Sequence, residues 1–270
     1  MLTIYSPFNN PNSKAWEVIN GVRKSWPEQT KILDNNIETD PVANSMFWGF
    51  VGNNRPMVQK LEQRKHQFWF TDTPYFGRFD NSNLKPNNHY WRICKNGIHA
   101  SYLKMCKSDR FDKFGIKIKA PDFKGSYILV CPSSNSIHDY LGKPNWTKDT
   151  VEQIKRYTDR PIRIREKPRG RGTSGPSEAK IPLSEDLKDA WVVVTSCSIA
   201  AVEAQCMGVP VICDEKSFAK EVGGQTLADI EDPFFVSCED WLYSLAYQQF
   251  TPEEIENGTA IEILMDKGIL

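Results

Sequence analysis

The sequence predicts an α/β protein built on mainly parallel sheets. Residues 191–194 form a fully apolar, β-branched run without alternation, which is typical of a strand buried on both faces. An Ala-rich segment, 198–207, then predicts a helix that ends at Gly208, and residues 209–213 predict the next strand, completing one βαβ unit. Residues 127–131 form a second buried run of the same type. Strands that alternate with helices in this way favour the α/β class.

The rest of the chain continues this alternation. In the first half, the patterns predict strands at 2–5, 30–33, 46–51, 67–71 and 89–93 and helices at 14–24 and 57–64. In the second half, they predict helices at 146–157, 184–190 and 240–248, a helix that begins at Thr251, a strand at 161–168 and an edge strand at 234–236.

Length and charge restrict the possible functions. A chain of 270 residues suits one large or two small domains. With 34 basic and 34 acidic residues the net charge is zero, so no field of the whole molecule attracts a polyanion. Any nucleic-acid site must therefore come from local clustering of basic residues.

Cysteines and hydropathy predict a compartment. The seven cysteines include no Cys-x-x-Cys pair, and several lie inside apolar runs, which indicates buried thiols in a reducing cytoplasm. The N-terminus shows no signal-peptide pattern, and no apolar window reaches membrane-spanning length. We expect a soluble cytoplasmic protein without a membrane partner. His, Cys, Asp and Glu nowhere have metal-ligand spacing, so we also expect no protein-encased metal.

Two hydroxyl-rich turns follow the two buried strands of the second half. Thr195, Ser196 and Ser198 come after the strand at 191–194, and Ser133 and Ser134 come after the strand at 127–131. Because the carboxyl ends of neighbouring parallel strands meet at one edge of a sheet, these turns should converge on one crevice suited to phosphate or sugar oxygens. The alternative is an ordinary α/β unit in which the hydroxyls only cap helices.

The segment 198–212 resembles the nucleotide-sugar-binding segment of glycosyltransferases with the GT-B fold. Its Ser, Glu-Ala and Gly-Val-Pro-Val elements stand at Ser198, Glu203-Ala204 and Gly208 to Val211. The resemblance implies a GT-B-like fold of two Rossmann-like domains that face a cleft. Residues 1–122 would form the N-terminal, acceptor-side domain, and residues 123–270 the C-terminal nucleotide-sugar-binding domain with terminal helices. It also implies that the last helix packs back on the N-terminal domain.

The resemblance further implies a donor site. In the family, hydroxyls and amides hold the donor diphosphate and the glutamate holds the ribose hydroxyls, so the donor is a nucleoside-diphosphate sugar, best matched by a UDP-sugar, with no tightly bound cofactor. Related enzymes carry a basic residue or histidine beside a proline for the phosphates, which places Arg165 and Lys167 in this role, although the histidine itself is absent here. The implied donor-binding residues are Ser133, Ser134, Arg165, Lys167, Thr195, Ser196, Ser198 and Glu203.

Asp72 is the candidate general base. It stands at the carboxyl end of the predicted strand 67–71, before a proline turn, where open α/β sheets bind ligands. Inverting sugar transfer needs a group that takes the proton of the acceptor hydroxyl. The alternative for Asp72 is an Asx turn before Pro74. His89 and His99 are the next candidates, and the alternative for each is a hydrogen-bonded structural histidine.

A basic run suggests a nucleic-acid partner. Residues 155–171 hold eight lysines and arginines against Asp159 and Glu166, and the run ends in an Arg-Gly loop. Such a run is either solvated surface or a contact for a duplex phosphate backbone through Arg163, Arg169 and Arg171.

The resemblance also covers an acceptor. The chain is compact, rich in Asn and Lys and without membrane-docking helices, and in this it resembles a bacteriophage protein. Bacteriophage glycosyltransferases of this fold include those that modify 5-hydroxymethylpyrimidines in DNA, which implies double-stranded DNA as the acceptor, the host cytoplasm as the location and base flipping to expose the hydroxyl. Two alternatives stay open. One is transfer to a cell-envelope polysaccharide or a lipid-linked sugar. The other is a non-catalytic module that binds nucleotides or nucleic acid.

Overall fold

The chain folds into two compact units. A computed structural model describes residues 1–6, 14–77, 89–166 and 181–270. The first unit comprises Met1–Phe114 together with Tyr243–Leu270, and the second comprises Gly115–Leu242. The unit boundary at residue 114 lies eight residues before the predicted domain end at 122, and the C-terminal segment belongs to the first unit instead of the second.

The first unit is built on a six-stranded mixed sheet in the order β10-β5-β4-β3-β1-β2. Four neighbouring strands, β4, β3, β1 and β2, are parallel, whereas β5 and β10 run antiparallel to their neighbours. The strands are β1 (Leu2–Ser6), β2 (Thr30–Asp34), β3 (Ser45–Trp48), β4 (Phe68–Asp72), β5 (Trp91–Lys95) and β10 (Gln249–Phe250).

Helices cover this sheet and close its core. They are α1 (Lys14–Ser25), α2 (Asn54–Gln63), α3 (Asp109–Asp112), α9 (Pro252–Glu256) and α10 (Thr259–Asp266). One buried cluster joins α1 residues such as Val18 and Val22 to strand residues such as Ile4 and to Ile255 and Leu264 of the terminal helices. The terminal helices are therefore part of the first unit's core, the packing that the resemblance implied for the last helix.

A buried arginine holds the C-terminal segment in place. Both terminal nitrogens of Arg110 bind the Glu254 carboxylate at 2.9 Å, and its Nε and Nη2 donate to the carbonyl oxygens of Ala246 and Gln249. Burial would raise the pKa of Glu254, but the hydrogen bonds from Arg110 and the Thr251 amide, with the Arg110 charge, lower it below its usual value. A bidentate pair of this kind, removed from water, holds the C-terminal segment in one orientation relative to α3.

The second unit is built on a four-stranded, fully parallel sheet in the order β7-β6-β8-β9. Its strands are β6 (Tyr127–Val130), β7 (Ile162–Ile164), β8 (Ala190–Thr195) and β9 (Val211–Cys213). Every residue of β6 and β9 is buried, as expected for a parallel sheet with helices on both faces.

The helices of the second unit are short. They are α4 (Asn135–Tyr140), α5 (Trp146–Ile154), α6 (Leu183–Leu187), α7 (Ala200–Cys206) and α8 (Glu239–Ala246), whose last residues enter the first unit, with 3₁₀ turns at Phe218–Glu221 and Leu227–Asp229. Gly208 follows α7 with φ of +76°, so the predicted left-handed stop is confirmed. A Cβ at this position would lie 2.2 Å from the Ala120 carbonyl oxygen, which gives glycine a second reason to stand there.

The predicted α/β class with parallel sheets is confirmed, and two of the differences from prediction concern strands. Residues 234–236 form no strand, although their side chains are apolar. Instead, Gln249–Phe250 pairs antiparallel with β5, a pairing between residues far apart in the chain. The Gln249 side chain accepts the backbone N–H of Tyr75 at 2.8 Å and of Phe76 at 3.1 Å, and these long-range contacts, which local periodicity does not report, select the strand.

Among the described residues, no helix is both long and apolar enough to cross a bilayer.

The contact between α1 and α9 depends on a glycine. A Cβ on Gly21 would lie 2.9 Å from Cγ2 of Ile255 and 3.3 Å from the Glu256 backbone nitrogen. We expect Gly21→Val to lower the free energy of unfolding by about 1–3 kcal/mol, because a branched side chain forces α1 and α9 apart. The matched control is Asn20→Val, one residue away on the exposed side of α1. Urea unfolding of both variants is the measurement, and equal stability would contradict this account of the packing.

Candidate functional site

The strand order of the second unit creates a crevice between β6 and β8. The chain leaves β6 through α4 and α5 toward β7 on one side, and leaves β8 through α7 toward β9 on the other. Since both crossovers are expected to be right-handed, the helices lie on opposite faces and the two loops diverge at the carboxyl ends of the strands. This point of divergence is where open parallel sheets bind ligands.

Hydroxyl groups join the two strand ends at this point. Thr195 Oγ1 donates to the Cys131 carbonyl oxygen at 2.7 Å, and Ser196 Oγ donates to Ser133 Oγ at 2.8 Å. The Cys197 backbone N–H also donates to Ser133 Oγ, at 3.2 Å. The predicted convergence of the two hydroxyl-rich turns is therefore confirmed.

The same contacts correct the expectation that all these hydroxyls are open to a ligand. Ser196 and Thr195 are fully buried and Ser133 is 9% exposed. Buried hydroxyls need partners, and here the turns supply them to each other. Thr195, Ser196 and Ser133 thus fix the shape of the crevice, whereas Ser134 and Ser198 are only half-buried and lie at its surface.

The sequence analysis did not include His138, which takes part in this network. Its Nε2 lies 3.1 Å from Ser196 Oγ, and its ring stacks on Trp146 with centroids 5.3 Å apart. These two atoms are within hydrogen-bonding distance, and the tautomer of the ring decides which of them donates. The sequence spacing could have indicated that His138 lies near the site, because it stands one helical turn after Ser134, on the same side of the short helix α4.

Two further predicted donor-binding residues, Ser198 and Glu203, lie between the end of β8 and the first turn of α7. Glu203 is exposed in the first turn of α7, and Ser198 accepts the Ala200 backbone N–H at 3.3 Å. Burial raises the pKa of the Cys131 thiol to about 12, with the charge of Arg165 lowering it and those of Asp186 and Glu203 raising it.

The structure places two of the predicted arginines. Arg165 forms an ion pair with Asp186 and donates to the Ile181 carbonyl oxygen at 2.8 Å, so these two partners fix its position. Arg163 is exposed on the edge strand β7, with its guanidinium carbon 3.8 Å from the centre of the Tyr127 ring. Lys167, Arg169 and Arg171 lie outside the described residues.

Asp72 ends β4 in the first unit and forms an ion pair there. Its Oδ2 accepts Nη2 of Arg92 at 3.1 Å, and its Oδ1 accepts the Thr73 backbone N–H at 2.7 Å. Arg92 is 2% exposed and also donates to the Thr73 carbonyl oxygen at 2.6 Å. Asp72 is therefore the counterion of a buried arginine, a role that the sequence did not indicate, while 31% of its side chain remains exposed.

The two candidate histidines of the first unit have structural contacts. His89 is buried, with its Nε2 2.6 Å from Oε2 of Glu17. His99 Nδ1 lies 3.3 Å from the Tyr75 hydroxyl, which also accepts the Ala100 backbone N–H. Both histidines thus match the structural alternative.

Within the described ranges, the structure brings together no group of three His, Cys, Asp or Glu side chains that could hold a metal ion.

The buried His138 makes stability depend on pH. Burial lowers its pKa below the ordinary value, although the charges of Asp139 and Asp214 raise it slightly. The folded state therefore favours the neutral ring, and the free energy of unfolding should fall as the pH drops through about 6.5 toward the folded-state pKa. We expect a slope of up to about 1.4 kcal/mol per pH unit from this group.

His138→Gln should reduce this slope, since the amide can donate to Ser196 but does not titrate. Urea unfolding between pH 5 and 8 is the measurement, and His66→Gln, at an exposed histidine, is the control. An unchanged slope in His138→Gln would show that other groups cause the pH dependence.

Comparisons with solved structures find chains that are similar to this one. No family model matches the chain, and no curated protein sequence matches it. The solved structure of the beta Kdo 2,7 transferase of KpsC from Thermosulfurimonas dismutans is similar with a TM-score of 0.47 and 10% identity, covering 97% of this chain and 99% of that one. The beta Kdo 2,4 transferase of KpsC from the same organism gives a TM-score of 0.48 and 12% identity, covering 98% of each chain. At this level of similarity neither structure assigns an activity to this chain.

Proposed function

We propose that this protein is a glycosyltransferase that moves a sugar from a nucleoside-diphosphate sugar to a hydroxyl acceptor. The observation that carries the proposal is the junction of β6 and β8, where two hydroxyl-bearing turns meet at the divergence point of a parallel sheet. This is also the part of the chain whose sequence resembles a nucleotide-sugar-binding segment. A UDP-sugar is the donor to be tested first.

In this proposal the side chains at the crevice divide into two groups. Ser133, Thr195 and Ser196 hold the strand ends together, and His138 orients Ser196. Ser134 and Ser198, at the surface, contact the diphosphate oxygens of the donor, and Glu203 accepts hydrogen bonds from the ribose hydroxyls. Hydrogen-bond donors of the protein whose positions are fixed before the reaction stabilise the negative charge that develops on the departing diphosphate.

The transfer step breaks the bond between the anomeric carbon and the diphosphate oxygen and forms a bond to the acceptor oxygen. The acceptor hydroxyl loses its proton to Asp72, and the diphosphate departs with the electron pair. A carboxylate offers about four lone-pair sites, of which Arg92 and the Thr73 amide each take one. Capacity therefore remains for the acceptor proton on the exposed part of Asp72. Asp72 is the base if the configuration inverts; a retaining reaction does not require it.

The acceptor that we propose is a 5-hydroxymethylpyrimidine in bacteriophage DNA. The basic run 155–171 supports a polyanionic acceptor, because the net charge of the whole chain is zero and the excess of positive charge is local. A flipped base would present its hydroxymethyl group to the site. Transfer to a cell-envelope polysaccharide and a non-catalytic binding module are the outcomes that the assay must separate from this one.

A transfer assay with a panel of nucleotide sugars tests the proposal. Duplex DNA that contains 5-hydroxymethylcytosine or 5-hydroxymethyluracil is one acceptor, a cell-envelope polysaccharide is another, and mass spectrometry of the products detects an added sugar. Modified nucleosides would support the DNA acceptor, and sugar added to the polysaccharide alone would replace it. Donor binding without any transfer or hydrolysis would favour a binding module, and absence of donor binding would refute the proposal.

Asp72→Asn tests the general base. We expect transfer to fall by about 10²–10⁴-fold with unchanged donor affinity, because the amide cannot take the acceptor proton. Arg92 loses its counterion in this variant, so thermal unfolding must be measured alongside activity. Asp40→Asn, which breaks another Asp–Arg pair of the first unit, at Arg64, is the control. A folded Asp72→Asn protein with full activity would remove Asp72 from the mechanism.

The double variant Arg169→Ala, Arg171→Ala tests the DNA contact. If both arginines bind phosphates, we expect the slope of log affinity against log salt concentration to fall by about 0.9 for each. The control is Lys216→Ala, Lys220→Ala, which removes two exposed lysines of the second unit. Fluorescence anisotropy with a labelled duplex across salt concentrations gives both slopes. Equal slopes in the two double variants would exclude the arginines from the DNA contact.

A further inference from the structure

A cavity of about 600 Å³ lies at the carboxyl ends of β8 and β9. Its walls come from the start of α5, from the residues after β9 and from the segment around Gln225, all within the second unit. Thr195, at the end of β8, also lines it, so the cavity adjoins the crevice between β6 and β8 and extends from there past the end of β9. Its volume is in the range that small-molecule sites usually have, so it is large enough for a ligand of its own.

The floor of the cavity is apolar and uncharged. Val194 and Ile212, at the ends of β8 and β9, are almost completely buried, and Trp146 lines the wall beside them. Burial raises the pKa of the Cys213 thiol to about 11, so this group is neutral near pH 7. A ligand therefore meets no charged group at the floor.

The rim carries an excess of negative charge. Asp149, Asp214 and Glu215 contribute three carboxylates, and Lys143 is the single cation among the described residues that line the cavity. That lysine is already neutralised, since its Nζ lies 2.6 Å from Oδ2 of Asp214. Phosphate and other anions are therefore repelled from this cavity, which separates it chemically from a site for a donor diphosphate.

The remaining rim groups are hydrogen-bonding side chains that lie open to solvent. Gln153 and Gln225 supply amides that both donate and accept, and Tyr157 supplies a hydroxyl and a ring with 48% exposure. The Asp214 side chain is only 6% exposed, and Lys143 fixes the position of its carboxylate. The Asp214 carboxylate is thus a hydrogen-bond acceptor in a fixed position, whereas the exposed side chains around it can change rotamer.

We propose that this cavity binds a neutral saccharide unit. The sugar hydroxyls donate to the carboxylates of Asp149 and Asp214 and exchange hydrogen bonds with the amides. The apolar face of the sugar ring lies against the floor and the exposed ring of Tyr157, which combines an apolar body with a polar tip. The excess of carboxylates selects against phosphorylated sugars. The site does not depend on the proposed transfer reaction and exists whether or not the chain is catalytic.

Titration of the full chain with D-glucose, D-galactose, N-acetyl-D-glucosamine, maltose, cellobiose and lactose tests the proposal. Isothermal titration calorimetry should detect at least one of them with a dissociation constant of the order of 1 mM, typical of a small polar ligand. Glucose 6-phosphate should bind at least tenfold more weakly than glucose if glucose binds.

Two exposed rim residues give variants that should fold. We expect Tyr157→Ala and Asp149→Asn each to weaken saccharide binding by roughly five- to tenfold, because each removes a contact with the sugar. Glu152→Gln, on the same helix α5 but outside the cavity lining, is the matched control and should bind like the unchanged protein. Circular dichroism of each variant verifies the fold.

Several results would overturn the proposal. One is that no sugar binds even at a concentration 20-fold above the expected dissociation constant. Another is saccharide binding whose affinity neither Tyr157→Ala nor Asp149→Asn changes. A third is binding of uridine or spermidine, but of no saccharide, that Tyr157→Ala and Asp149→Asn weaken. That result would assign the cavity to a nucleoside or to a cation. Since UDP-sugar binding is measured separately, failure here and failure of the proposed transferase function are distinguishable.

Discussion

The hydrogen bonds that join the ends of β6 and β8 are the constraint on which the second unit depends. Parallel strands leave polar turns at one edge of the sheet, and a buried turn must satisfy its own hydroxyls and amides. Thr195 and Ser196 do this by bonding to Cys131 and Ser133 in the neighbouring turn. The crevice is therefore shaped by groups that a ligand cannot reach, and His138 belongs to the same network because its ring bonds to Ser196. Ligand contacts fall to the half-buried residues around this network.

Buried arginines have the corresponding role in the first unit. Arg110 and Arg92 are both almost inaccessible to solvent, and each is surrounded by carbonyl oxygens and one carboxylate. Because an unpaired buried charge is strongly unfavourable, each arginine selects the conformation in which its partners are present. Arg110 thereby fixes the C-terminal segment against α3. Arg92 fixes the end of β4, and its partner Asp72 consequently combines a structural role with the proposed chemical one.

Charge is distributed unevenly although the whole chain is neutral. The cavity beside β9 is rimmed by carboxylates, whereas the run from 155 to 171 is basic. Ion pairs such as Arg165–Asp186 and Lys143–Asp214 neutralise part of each set. Pairing of this kind decides which charges remain available to a ligand, and for that reason a count of basic residues in the sequence overestimates the number of phosphate contacts. The acidic cavity and the hydroxyl-bearing crevice are consequently suited to different ligands on one sheet.

The sequence by itself determined the α/β class, the buried strands, the stop at Gly208 and the meeting of the two hydroxyl-rich turns. These features depend on local periodicity, on backbone conformation and on the geometry of parallel strands, all of which neighbouring residues specify. Only the tertiary structure decided which hydroxyls are buried, that Arg165 and Asp72 are ion-paired, that His138 joins the network and that the C-terminal helices belong to the first unit. Each of these depends on contacts between residues far apart in the chain, such as Arg110 with Glu254, and no local pattern encodes such a contact.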